Sequence, residues 1–124
     1  MNNNLVLLCG KSATGKSASL QMLKNPEGVM YLNCENNKKL PFKSKFKEFT
    51  ITDPTDVPDA IDSVKGDKKI HTIVIDSLTY LMDMYESTKV LTSTNTMKAW
   101  GSYAQFMKNM MSQNVGNSDK NIIF

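Results

Sequence analysis

The run Gly10-Lys11-Ser12-Ala13-Thr14-Gly15-Lys16-Ser17 fits the pattern GxxxxGK[ST] at every specified position. An apolar run, Leu5-Val6-Leu7-Leu8-Cys9, leads into it, and a helical pattern over residues 16–24 follows. This strand, loop and helix order implies a sheet whose first strand delivers a phosphate-binding loop at its C-terminal end. The residue types suit that task. Backbone N–H groups from Gly10 to Ala18, at the positive end of a helix, can surround the clustered charge of a nucleotide's phosphates. Gly10 and Gly15 permit conformations and approaches that a Cβ would hinder. Lys16 brings an ammonium to the β- and γ-phosphates, and the Ser17 hydroxyl can ligate Mg²⁺.

At 124 residues the chain is read as one domain, spanning residues 1–124. Its 15 Lys and 12 acidic residues give a net charge of +3, which permits a nucleic-acid partner without requiring one. Cys9 and Cys34 fall in apolar runs and read as buried, reduced thiols of a cytoplasmic protein. There is no CxxC and only one histidine, His71, so a metal pair is not expected. No secretion signal and no apolar run of membrane-spanning length occur, and no membrane partner is expected.

The first strand, apolar at successive positions, is expected in the middle of a parallel sheet covered on both faces. Val29-Met30-Tyr31-Leu32-Asn33-Cys34 reads as a second strand that runs into Glu35, placing a carboxylate at the edge where open parallel sheets bind ligands. Residues 38–47 are basic and interleaved with Phe42 and Phe46. That composition can hold a phosphate backbone and stack bases, but the simpler reading tucks both rings onto the domain. A short strand near the sheet edge is expected over residues 48–52. A helix with Val57, Ala60, Ile61 and Val64 on one face should follow, ending at Gly66.

His71-Thr72-Ile73-Val74-Ile75-Asp76 is a β-branched apolar strand ending in aspartate, the form that delivers a carboxylate to a Mg²⁺ shell. His71 stands at the opposite end and reads as a surface residue. Leu78, Leu81, Met82 and Tyr85 recur at helical spacing, as do Met97, Trp100, Ala104, Met107 and Met111, and most of these are expected in the core. Residues 87–96 between them read as a polar loop. Asn121-Ile122-Ile123-Phe124 reads as a fifth strand halted in mid-run, as if the chain were the N-terminal part of a longer protein.

Signal-type GTPases carry DxxG and NKxD motifs, and neither suits this chain. The arrangement in which the base glutamate directly follows the aspartate is excluded by Ser77. The loop at residues 10–17, the segment Tyr31-Leu32-Asn33-Cys34-Glu35 and the segment Ile73-Val74-Ile75-Asp76-Ser77 together resemble the RecA-like P-loop ATPases. The compact spacing and the segment Lys98-Ala99-Trp100-Gly101-Ser102-Tyr103 are similar to small phage-encoded AAA/RecA-type ATPases associated with recombination or single-strand annealing.

The resemblance implies an α/β fold, a three-layer sandwich with a mostly parallel sheet, in which the Asn121 strand lies between the loop strand and the Asp76 strand. It implies an ATPase using ATP and Mg²⁺ in the cytoplasm, of the bacterial host if phage-encoded. Lys16 and Glu35 would be catalytic, Ser17 and Asp76 metal-binding, and a homo-oligomer on single-stranded DNA the working form. The first DNA-contacting loop would fall over residues 88–97, with Lys89, Thr94 and Asn95 as its contacts. The sequence contains no arginine. A cation for the γ-phosphate must then be a lysine or come from elsewhere, so the chain alone is expected to bind ATP·Mg²⁺ and hydrolyse it slowly. The alternatives are a small-molecule or nucleoside kinase, which usually carries a lid with arginines, and a non-hydrolysing, nucleotide-gated DNA-binding module.

Overall fold

The computed structural model describes residues 5–7, 18–35, 40 and 42–124. The phosphate-loop motif at residues 10–17 lies outside the described residues, as does Cys9. The described elements are β1 (Leu5–Val6), β2 (Val29–Asn33), β3 (Lys47–Thr50), α1 (Asp56–Ser63), β4 (Thr72–Asp76), α2 (Leu78–Tyr85), α3 (Thr96–Asn109) and β5 (Asn121–Ile123). A 3₁₀ turn covers Ala18–Met22, where the sequence pattern predicts the second half of an α-helix.

The strands form one sheet in the order β1-β5-β4-β2-β3, and every pairing is parallel. β5 lies between β1 and β4, as the family resemblance implies. β1 itself is at the edge, not in the middle. Among the described residues it pairs only with β5, and Leu5, Val6 and Leu7 are 41%, 51% and 60% exposed. The cover on both faces expected of this apolar run is not found either, since a continuous apolar run carries no information about a strand's lateral rank, and an edge strand has less of the domain packed on it.

The alternation of side chains along each strand divides the core in two. On one face Met30, Leu32, Ile73, Ile75 and Ile122 pack with Val57 and Ile61 of α1, Leu81 of α2, and Met110 and Val115 beyond α3. On the other, Val29, Tyr31 and Val74 pack with Leu20 and Phe46, joined by Leu23, Leu40 and Phe42. Helices and loops thus cover a parallel sheet from both sides, an α/β three-layer arrangement. Phe42 and Phe46 tuck onto the domain, with ring centroids 5.9 Å apart and edge to face.

α1 buries Val57 and Ile61, and its trailing turn passes through Gly66 at φ 81°, a left-handed conformation suited to glycine. Residues 87–96 are not all loop: a π-helical segment, Glu86–Val90, extends α2 and buries Val90. α3 corrects a second expectation, because it has no fully buried residue. Met97 and Trp100 are 85% and 46% exposed, while Tyr103 and Phe106 lie against Tyr85 at ring distances of 5.1 and 4.7 Å. Of the expected series, Met107 and Met111 pack against the core while Met97, Trp100 and Ala104 are exposed, and the helix is anchored at its end by the segment Met110–Val115.

Candidate active site

All strands being parallel, their C-terminal ends share one edge of the sheet. Asp76, the last residue of β4, and Glu35, two residues beyond β2, both lie at that edge. Asn33 of β2 stands opposite Asp76 of β4, and the chain beyond β2 is tied to that strand end by the Cys34 N–H, which donates to the Asp76 carbonyl at 2.7 Å. The Asn33 side-chain oxygen accepts from the Glu35 N–H at 2.9 Å, an Asx turn that swings Glu35 off the strand axis. Glu35 and Asp76 are both half-buried.

Tyr31 stands opposite Val74, two residues before the level of Asp76, and its hydroxyl donates to Asp76 Oδ2. The ring is almost wholly buried and stacks on Phe46 at 6.2 Å. Burial pushes the phenol well above its ordinary range, and the hydrogen bond to Asp76 and the charges of Asp76, Glu35 and Glu48 push it further, so it remains a donor. Cys34 points to the opposite core. Burial, then the charges of Asp76 and Glu35, push its thiol up to about 12, so it has none of the thiolate character of a nucleophile. Both groups sense the same two carboxylates, so the sheet tip is a focus of negative charge.

A hard cation brought with a phosphate suits that donor set. Mg²⁺ takes oxygen ligands and commonly one or two carboxylates, completing its shell with phosphate oxygens and water. Among the described residues no cluster of three or more His, Cys, Asp and Glu side chains could hold a metal unaided. The carboxylates of Asp76 and Glu35 at the tip suit a cation that arrives with a nucleotide's phosphates.

A family model described as an AAA domain matches residues 2–124. The chain belongs to that family. No curated protein and no solved structure matches it. The AAA domain is a nucleotide-binding, ATPase-type unit, and here Ser77 occupies the position directly after the aspartate.

Of the site residues expected from the sequence, the structure brings Glu35 and Asp76 to one edge. β1 runs parallel toward the same edge, with Val6 and Val74 both opposite Ile123. Gly10, Lys11, Ser12, Ala13, Thr14, Gly15, Lys16 and Ser17 lie outside the described residues, and Ala18 opens the 3₁₀ turn that follows. The Asp76–Ser77 peptide is cis, and Ser77 precedes α2, its carbonyl accepting from the Leu81 N–H at 3.0 Å. His71 sits at the far end of β4, its Nε2 2.9 Å from the Asn25 carbonyl and Nδ1 2.7 Å from Thr72 Oγ1.

Lys89, Thr94 and Asn95 come together on the rim of an open cleft of about 410 Å³, with Tyr85, Lys98 and Ser102. Asn95 caps α3 by accepting from the Lys98 N–H at 3.1 Å. Lys89 Nζ lies 3.7 Å from Asp53 Oδ2, a partly exposed pair of small energetic weight. Lys98 and Tyr31 are the residues that sequence reasoning passed over. The cap at Asn95 was a usable signal for Lys98. For Tyr31 there was none, since its contact depends on the register of β2 against β4.

Proposed function

We propose that the chain is a Mg²⁺-dependent, RecA-like ATPase whose turnover is coupled to single-stranded DNA. The observation that supports this most is the delivery of Glu35 and Asp76 to the same tip of adjacent parallel strands, in a chain carrying the phosphate-loop motif. In this reading the amides of residues 10–18 and Lys16 hold the β- and γ-phosphates, and Ser17 and Asp76 hold Mg²⁺ directly or through water. Bound with the nucleotide, Mg²⁺ would neutralise the charge of the phosphates. Glu35 orients the attacking water and takes its proton. Phosphoryl transfer needs mainly positioning and charge stabilisation, so these groups supply most of the local machinery.

The cleft with Lys89, Thr94, Asn95 and Lys98 is the proposed contact for a DNA strand. With no arginine in the sequence, the cation that reaches the γ-phosphate is a lysine or belongs to a neighbouring copy in a homo-oligomer. Recombination or single-strand annealing by a phage-encoded protein in the host cytoplasm is the setting this reading fits.

Phosphate release from ATP in the presence and absence of a single-stranded oligonucleotide tests the assignment. The wild type should release phosphate slowly, Lys16→Ala not at all, and DNA binding should weaken steeply as salt rises. Transfer of the phosphoryl group to a nucleoside in preference to water would replace the ATPase reading with a kinase. Binding unaffected by salt would remove the DNA contact.

A further inference from the structure

Tyr31 belongs to an apolar strand and has no role in the reaction as set out above, yet its hydroxyl ends on the one carboxylate assigned to the metal. The contact is diagonal: Tyr31 faces Val74 across the β2–β4 pair, and Asp76 lies two residues further along. Two residues along a strand and one strand across amount to about 8 Å, within reach of an aromatic side chain but not of a short one. The ring has little freedom to miss. It is fully buried, lies nearly parallel to Phe46 at 21° and 6.2 Å, and Phe46 is in turn held edge-on by Phe42. A hydroxyl fixed in this way on Oδ2 sets the rotation of the Asp76 carboxylate, and so the direction in which Oδ1 points.

We propose that Tyr31 is a positioning residue for the metal site, orienting the Asp76 carboxylate toward the cation that accompanies the nucleotide. The proposal rests on the ATPase reading given above. It extends the site from the sheet tip down into the face occupied by Phe42 and Phe46, and makes those two rings part of the support of Asp76. A buried phenol needs a hydrogen-bond partner in any case, and Asp76 could serve merely to satisfy it. The two roles differ in what they move. A satisfied phenol affects stability alone, whereas a positioning phenol affects the response to Mg²⁺.

The test is titration of MgCl₂ against the 124-residue chain and a fluorescent N-methylanthraniloyl ATP, read as the Mg²⁺ concentration giving half of the Mg²⁺-dependent gain in binding. Tyr31→Phe keeps the ring on Phe46 and removes only the hydroxyl. Loss of a group that orients a metal ligand typically costs 10- to 100-fold in metal affinity, so the half-saturating Mg²⁺ should rise about tenfold or more. Affinity for the nucleotide in EDTA should stay unchanged. A half-saturating Mg²⁺ within about twofold of wild type overturns the proposal. Asp76→Asn, measured alongside, separates the two layers of inference. If it shifts the Mg²⁺ response and Tyr31→Phe does not, only the role of Tyr31 fails. If Asp76→Asn leaves the response unchanged, the metal role of Asp76 falls and takes this proposal with it. Should Tyr31→Phe fail to show cooperative thermal unfolding, Tyr31→Met, which fills similar space with an adaptable apolar chain, carries the same comparison.

Discussion

Cys34 and Tyr31 are neighbours three positions apart whose side chains enter opposite cores, and both are kept protonated by burial beside the same two carboxylates. The thiol has a consequence for stability. Below about pH 9 both the folded and unfolded chains retain the proton, and the full stabilisation is present. From its ordinary value of 9.0 up to about 12 the unfolded chain loses the proton while the folded chain keeps it, so stability falls as pH rises. The slope attributable to this one group is at most about 1.4 kcal/mol per pH unit. Urea unfolding of wild type and Cys34→Ala from pH 8.5 to 10.5 should therefore show the stability gap between them narrowing by about 1 kcal/mol or more. A constant gap would mean that the thiol titrates alike in both states. At this scale Glu35 and Asp76 were legible because a carboxylate at the end of an apolar strand is a local pattern. The Tyr31 contact was not, because it depends on which strand lies beside which.

Among the elements, α3 separates what helical spacing reveals from what it conceals. Period 3.6 correctly marked a helix, but Met97, Trp100 and Ala104 point to solvent while Tyr103 and Phe106 meet Tyr85. A sequence rich in methionine and aromatics offers more than one apolar stripe, and only the neighbouring helix decides which is used. Phe106→Ala should cost about 2–3 kcal/mol in chemical denaturation, below the full range for a buried phenylalanine because the ring is half-buried. Met97→Ala should change stability by less than about 0.5 kcal/mol, as surface substitutions do. Equal losses from the two would restore the methionine stripe to the core. The strands were read more accurately, since β2, β3 and β4 each carry apolar or alternating runs bounded by turn residues. Only the π-helical ends of α2 and α3, which bury Val90, Met110 and Val115, lacked a recognisable period.

For the whole molecule, the parallel sheet and its two-sided core followed from apolar strands alternating with helical patterns, and the place of β5 followed from the family resemblance. The edge position of β1 did not, because strand rank is set by later parts of a chain and not by the strand's own residues. What the sheet accomplishes is to bring the ends of β2 and β4 together, and in the proposed ATPase Glu35 at that tip acts on water while Asp76 serves the metal. The most direct measurement is single-turnover hydrolysis of ATP by wild type and Glu35→Gln, with nucleotide affinity measured on the same samples. Replacing a general base typically costs 10²- to 10⁴-fold, so the rate should fall by about a hundredfold or more with ATP·Mg²⁺ affinity retained. Equal rates in the two proteins would contradict that role of Glu35.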